Sequence, residues 1–588
     1  MLWDTTIASN VGYIAALLYN QNNVASMASG VTLQLEREAA KDLCGMVGYN
    51  IDEEGGHTTE NPLSWGHLPN GGTVANLEAM WAARSVKFNG LTMQRMMKEN
   101  FKGEVLGAVY DSFEFVDLQG NRRKLKEASA WELLNLPVDE GIDLFDNIVE
   151  AINVKECELG CSQKTSFDQL FDWAKEYTLE ELGGLSFFDI FRDELQESNI
   201  RLGGKWFCPG SRHYSWDKGA NILGIGRRNL IKVPVDRNCR MDPDVLTQEL
   251  EKCLENRWPV IGVTVVFGTT QEGAVDDLEK ILEIRKSFEG RGLTFSIHID
   301  GAWGGYFATC IKGNPDRNGG IATPKRKVSH VNSVFFNEAR LSTHFETQLR
   351  CLKKANSITL DPHKSGFCPY PAGGLLYRNG NIRKFLAQKA AYVNHGTENN
   401  EEINLFGIDG SKPGAASAGV WLSHKVTGLH CDGYGLLLRQ SSFSAGVMYA
   451  MWVSMGRSRD PFLIIPGIPL KERFKETWTN KKIRKDILQS ENYALSHDHA
   501  AMEFLRESGP DTLINCLSVN FRVWNKKSQS WVNNTSMERQ REFLNKFYKR
   551  CSHSYERPSM VDRGIQIILN STTWEKESHT EVYKAMKV

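Results

Sequence analysis

The segment Asp361-Pro362-His363-Lys364-Ser365-Gly366 sets a lysine between two apolar runs, Ser357 to Leu360 before it and Ala372 to Tyr377 after it. The first run reads as a short buried strand, so Lys364 falls where a strand ends and the chain turns. A strand end is a rigid place from which to aim one amine. Desolvation there disfavours the ammonium and predicts a pKa falling from about 10.4 toward neutrality. A neutral lysine in a dry cleft attacks aldehydes and forms a Schiff base. A surface lysine in an ordinary turn is the competing reading of the same six residues. A carboxylate occupies a similar place in Phe295-Ser296-Ile297-His298-Ile299-Asp300-Gly301-Ala302-Trp303-Gly304-Gly305. Asp300 either caps the following turn or is a buried anion that keeps a pyridinium nitrogen protonated. Ala302 leaves flat room beneath an aromatic ring, and Gly304 and Gly305 allow close backbone approach.

Two further segments bear on this choice. In Gly71-Gly72-Thr73-Val74-Ala75-Asn76-Leu77, apolar residues recur at Val74, Leu77 and Trp81, which is helical spacing. Glycines and a threonine opening a helix offer free N–H groups, the helix dipole and a hydroxyl to a phosphate. A plain helix start is the alternative, and the segment matches neither a Walker loop nor a dinucleotide fingerprint. His213, in Ser211-Arg212-His213-Tyr214-Ser215-Trp216, is either structural or an imidazole that stacks on a ring. An aldehyde-reactive lysine, a pyridinium partner, a phosphate site and a stacking imidazole together describe pyridoxal 5′-phosphate as the cofactor. No metal is expected.

The elements that must position these groups are short apolar strands alternating with helices. Strand-like runs fall at Val105–Tyr110, Ile231–Val235, Val260–Phe267, Thr294–Ile299 and Ser357–Leu360, and helical patterns at Val74–Val86 and Leu278–Phe288. Uninterrupted β-branched strands between helices predict an α/β fold with a parallel sheet covered on both faces. Ligands of such sheets bind beyond the carboxyl ends of the strands, where Asp300 and Lys364 are placed. The stretch 391–414 reads as a long loop, and a domain boundary is expected near 428–435.

The 588 residues are 41% hydrophobic and 24% charged, with a net charge of −1. That composition is globular, leaves no basic footprint for nucleic acid and predicts no membrane association. Val11 to Tyr19 is too short to span a bilayer, and the first residues lack the positive flank of a signal peptide. The 12 cysteines show no CxxC pairing, which suits a reduced, cytoplasmic protein.

Several specific pieces occur in one order. They are Asn22-Asn23-Val24-Ala25, Gly72 to Glu78, His213-Tyr214-Ser215-Trp216, Pro234-Val235-Asp236, Arg240-Met241-Asp242 and Gly268 to Asp276. Asp300 to Gly305, Asp361 to Gly374, Ala391-Tyr392-Val393 and Gly410-Ser411-Lys412 follow. With these the chain resembles the group II pyridoxal-phosphate-dependent amino-acid decarboxylases, above all the microbial tyrosine decarboxylases, from near Trp3 to about Thr573.

The resemblance implies an aspartate-aminotransferase-like (fold type I) α/β fold, with a mainly parallel sheet and a smaller C-terminal α+β domain. It implies a homodimer with sites at the interface. The corresponding division is 1–45 as an N-terminal segment, 46–390 as the cofactor domain, 391–435 as catalytic loop and linker, and 436–588 as the small domain. The relatives carry a preceding arm of about a hundred residues, so a truncated start is expected here.

Further implications are residue roles. Lys364 holds the cofactor, Asp300 its ring nitrogen, and His213 stacks on it above Ala302. Gly72 and Thr73 hold the phosphate with help from His363 and from the Gly410-Ser411 loop reaching across the dimer. Thr269 or Thr270 orients the ring. Tyr392 protonates Cα after CO2 leaves, whereas a loop tyrosine packing its apolar body is the plain alternative. Tyr370 and Ser571 fall near the substrate. The activity implied is decarboxylation of an aromatic L-amino acid, tyrosine first. Alternatives are an acidic substrate, which needs a cation such as Arg212 or Lys412 in the pocket, an aromatic aldehyde synthase, and an inactive truncated paralogue acting as a binding protein.

Overall fold

Val260 to Val266 is an unbroken apolar run of seven residues, and every one of them is buried. Such a strand is stable only between two covering layers. The computed structural model describes residues 4–54, 56–58, 60–161, 164–201, 203–314, 341–386, 406–455 and 460–552, and it places this run near the centre of one seven-stranded sheet. In chain order the strands are β1 (Trp65–His67), β2 (Lys205–Pro209), β3 (Leu230–Val233), β4 (Val260–Val266), β5 (Ser296–Asp300), β6 (Ser357–Leu360) and β7 (Gly374–Tyr377). Their spatial order is β1-β7-β6-β5-β4-β2-β3. Strands β2 to β6 pair parallel, whereas β7 runs antiparallel to both β6 and β1. The expected α/β class and mainly parallel sheet are therefore observed.

The helices that matter for the site are α1 (Ile7–Leu17), α2 (Thr32–Val47), α3 (Gly72–Asn100), α4 (Gly103–Ser112), α5 (Ser215–Ile222), α6 (Leu278–Glu289), α7 (Gly414–Thr427) and α8 (Tyr434–Ser454). Helix α3 presents Ala75, Ala79, Ala82 and Val86 to Leu375 and Tyr377 of β7. That 3–4 spacing forms one face, and the small residues let the helix axis lie close to the sheet. Helix α6 starts at Asp277, whose side chain accepts from the Lys280 N–H, and buries Leu278, Ile281, Ile284 and Phe288. Gly305 packs so tightly that an added Cβ would stand 2.6 Å from Leu360 Cβ. The close backbone approach expected of this glycine is present.

One predicted element is wrong. Residues 105–110 are not a strand but lie within α4. Leu106 and Tyr110 are partly buried and Val109 is fully buried against the core, so the apolar positions recur at three and four residues rather than two. A short apolar run cannot be assigned by periodicity alone, and here the helical period wins.

After α8 come a three-stranded antiparallel sheet, β8 (Phe462–Pro466), β9 (Leu517–Asn525) and β10 (Ser530–Asn533), and a cluster around Phe474, Trp478, Ile483 and Phe504. This part is tied to the main sheet by Asp511. Its carboxylate accepts from Arg240 at 2.6 and 3.1 Å and from the Val275 N–H at 2.9 Å.

Candidate active site

A cavity of about 370 Å³ lies beyond the carboxyl ends of β4, β5 and β6, against the N-terminus of α3. Gly72, Thr73, His213, Thr269, Thr270, Asp300, Ala302, His363, Lys364 and Tyr370 all line it. Ten residues spread over some three hundred positions are thus brought to one place.

Asp300 is the last residue of β5 and is buried. Its Oδ2 accepts from Asn76 Nδ2 and from Trp216 Nε1, each at 3.0 Å. A buried carboxylate needs such donors, and both engage the same oxygen. Oδ1 has only a long 3.5 Å approach from the Ala302 N–H. The second oxygen is left to serve the cavity.

Lys364 stands in the turn after β6, and its Nζ donates to Asp361 Oδ2 at 2.9 Å. Here the structure corrects the expected fall in pKa. Burial does push the ammonium down, but Asp361, through charge and hydrogen bond, and Asp300 outweigh it, so the pKa is raised. The lysine rests as a charged partner of Asp361, whose Oδ1 is buried with no hydrogen-bond partner. Replacing Asp361 with asparagine should lower the Lys364 pKa and increase the neutral amine at pH near 7. Trapping with an aldehyde and borohydride, read on the Lys364 peptide, should run about tenfold or more faster than in the unaltered protein. An unchanged rate would show that the pair does not control the amine.

His213 is half-buried at the start of α5. Its Nδ1 faces Ser215 Oγ at 2.9 Å and accepts from the Ser215 N–H at 3.3 Å. A backbone N–H can only donate, so the ring proton is assigned to Nε2. Burial holds its pKa below the usual histidine value. His363 stacks on Tyr370 with ring centroids 4.0 Å apart. It accepts from the Ala372 N–H at Nδ1 and sets Nε2 3.4 Å from Asp361. At the helix start, the Val74 and Ala75 N–H groups both bond to the Gly71 carbonyl. The Gly72 and Thr73 amides precede the intrahelical pattern and open into the cavity wall. Thr269 caps its own turn by accepting from Glu272 and Ala274, while Thr270 is exposed at the cavity edge.

Other predicted residues lie elsewhere. Gly410 and Ser411 are exposed and do not line the cavity of their own chain. Ser411 Oγ accepts from Asn22 at 3.0 Å. Tyr392 and Ser571 lie outside the described residues. Arg212 pairs with Asp217 at 2.7 Å, and Lys412 pairs with Glu36 at 2.5 Å, both nearly inaccessible. Burial alone would raise the Glu36 pKa, but Lys412 and Asn23 hold it below the usual range. Lys412→Met should therefore strand a buried carboxylate and cost about 3–5 kcal/mol, read as a lower denaturant midpoint. An unchanged midpoint would mean that Glu36 is satisfied without Lys412.

Sequence reasoning missed Asn76, Ser215, Trp216 and the restraining role of Asp361. A signal for Asn76 existed. It follows Thr73 by three residues, so both fall on one helical face.

These features fit pyridoxal phosphate. A side chain at Gly72 would stand 2.9 Å from Asp361 Oδ2, so this end of the cavity stays open only because glycine is there. The donors suit the three parts of the group: amides and Thr73 for phosphate, Asp300 for ring nitrogen, Lys364 for aldehyde.

Residues 192–337 match the pyridoxal-dependent decarboxylase conserved domain. The chain is 28% identical over 452 residues to the L-tyrosine decarboxylase of Enterococcus faecium, covering 74% of this chain and 60% of that protein. It is 30% identical over 437 residues to the L-tyrosine decarboxylase of Levilactobacillus brevis, covering 74% and 58%. The chain thus spans about three-fifths of the length of the curated relatives it matches. The solved tryptophan decarboxylase of Catharanthus roseus aligns at a TM-score of 0.45 and 15% identity, over 79% of this chain and 66% of that one.

Proposed function

We propose that this chain, which belongs to the pyridoxal-dependent decarboxylase family, converts an aromatic L-amino acid, tyrosine first, into its amine and CO2. The observation that carries this reading is the meeting of Lys364, Asp300 and His213 on one cavity at the strand ends. The bound cofactor would supply an electron sink for the pair left when CO2 departs. Lys364 and Asp300 would hold its aldehyde and ring nitrogen, and Gly72, Thr73 and His363 its phosphate. Lys364 must shed a proton to Asp361 or to water before it can act as a nucleophile. His213 keeps Nδ1 engaged and offers the Nε2–H, a neutral donor beside a substrate carboxylate. Holding these groups in fixed places lowers the entropic part of the barrier.

An aromatic substrate is favoured by Trp303, Tyr214 and Tyr370 on the cavity wall, whose faces suit a second ring. An acidic substrate is disfavoured because, among the described residues, Arg212 and Lys412 are paired elsewhere. Release of amine and CO2 from a panel of amino acids tests the assignment. Release from glutamate or aspartate alone, or from none, would overturn it. Tyr392→Phe should divert product from amine toward aldehyde and peroxide, measured by chromatography. Undiminished amine would remove Tyr392 from the proton transfer.

A homodimer is part of the same proposal. Ile7, Val11, Ile14 and Leu18 are exposed along one stripe on and just after α1, an apolar surface that a second copy would cover. The division into 1–45, 46–390, 391–435 and 436–588 belongs to the same proposal, and its last boundary falls in the first turn of α8, just after the turn that follows α7. A cytoplasmic location is proposed from the scattered thiols. Among the described residues, no helix is long and apolar enough to cross a membrane.

A further inference from the structure

Asn76 lies one turn into α3 and is buried. Its Nδ2 donates to Asp300 Oδ2 at 3.0 Å and to Ser215 Oγ at 3.0 Å. An amide nitrogen has two protons, and both are used. Ser215 Oγ, already an acceptor, has one proton left, and its neighbour at 2.9 Å is His213 Nδ1. The amide oxygen of Asn76 faces His298 Nε2 at 3.3 Å. That oxygen only accepts, so His298 carries its proton on Nε2 and takes one from Ser357 Oγ, 2.8 Å away, at Nδ1. Burial holds the His298 pKa down to about 4, which keeps that ring neutral. The donors and acceptors from Ser357 to His213 thus close without conflict.

We propose that Asn76 is a positioning residue that locks the Asp300 carboxylate and, through Ser215, the Nε2–H tautomer of His213 into a single hydrogen-bonded unit. The two groups that face opposite parts of one ligand are then set by the same side chain. A flipped amide would turn its oxygen toward the Asp300 carboxylate, which has no proton to give, so Asp300 itself fixes the amide. The proposal rests on the cofactor reading for its purpose, but the linkage itself is a property of the protein alone.

The test has two arms. Diethyl pyrocarbonate acylates an imidazole at its unprotonated nitrogen. In the native protein that nitrogen of His213 is Nδ1, masked by Ser215. Modification of His213 near neutral pH, measured by peptide mass spectrometry against exposed His499, should be slow. Ser215→Ala and Asn76→Leu should each speed it severalfold relative to His499, and Ser215→Thr should restore the slow rate. In the second arm, pyridoxal phosphate affinity, read by absorbance titration, should weaken roughly 10- to 100-fold in Asn76→Leu, because a hydrogen bond to a charged group is lost. It should weaken less in Ser215→Ala. An unchanged ratio of His213 to His499 modification in both variants, with melting curves like the parent's, overturns the linkage. The histidine arm decides the proposal even if the unaltered protein binds no cofactor, an outcome that would instead sink the cofactor reading.

Discussion

Replacing Lys364 with alanine should abolish amine release and remove the borohydride-stable label from the protein. Among the described residues, no other lysine is in position to replace it. Among the described residues, Lys364 is the lysine that lines the cavity, and Lys412 is buried and held by Glu36. Arginine should not rescue the variant, because a guanidinium stays protonated and cannot act as the nucleophile. The fold should survive. Lys364 donates to Asp361 and stands over the Trp303 ring, so losing it leaves a buried carboxylate without its ammonium and lowers the melting point, without opening a core cavity. Asp361 would keep its place through His363. The measurement is turnover with saturating pyridoxal phosphate, beside a melting curve. Residual turnover near that of the parent would end the proposed mechanism, since among the described residues no other amine lines the cavity to capture an aldehyde.

The gathering of residues on this cavity was legible where it depended on residue type at a strand end or helix start. Lys364, Asp300, Thr73 and His213 were found because each sits beside an element whose period is clear. What was not legible was how the turns fold back. Asp361 and Lys364 are three residues apart in sequence, yet spacing does not say that the Lys364 N–H bonds to the Asp361 carbonyl and brings the two side chains together. For that reason the amine was expected to be neutral, whereas it is held charged. The same limit hid the network behind the site. Asn76 and Ser215 are 139 positions apart, and only the packing of α3 against α5 reveals the pair. Residues 105–110 failed for another reason, a run too short to distinguish two periods.

The lysine and its restraint imply a cost that catalysis must overcome. An ion pair in a partly dry cleft is stabilised by its charges, so deprotonation of Lys364 is harder than burial alone would suggest. Cofactor entry must therefore offer Asp361 a substitute. The amide of Gly72, beside which the Asp361 carboxylate lies, is the donor at hand, and in the proposed reading it also serves the phosphate. Competition between a carboxylate and a phosphate for one helix N-terminus predicts that the affinity for cofactor rises when Asp361 is neutral, in line with the Asp361→Asn variant described above.

Asp300→Asn should lower turnover by about 10²–10³-fold while leaving the fold intact. The substitution is nearly isosteric, and the geometry dictates its orientation. Asn76 Nδ2 and Trp216 Nε1 are both donors and both address Oδ2 at 3.0 Å, so the new amide must place its carbonyl oxygen there. Its NH2 then occupies the position of Oδ1, the oxygen left for the cavity. A donor would face a ring nitrogen that must itself carry a proton, and the protonated form would be lost. Glutamate should fail as well, because the extra methylene cannot keep both donors in a position this buried. The discriminating readout is turnover at saturating cofactor and substrate, since a change confined to cofactor affinity would disappear there. If the asparagine variant retained turnover close to the parent's at saturation, the carboxylate would be a structural cap for the turn into Ala302, and the electron sink would have to draw its charge from elsewhere.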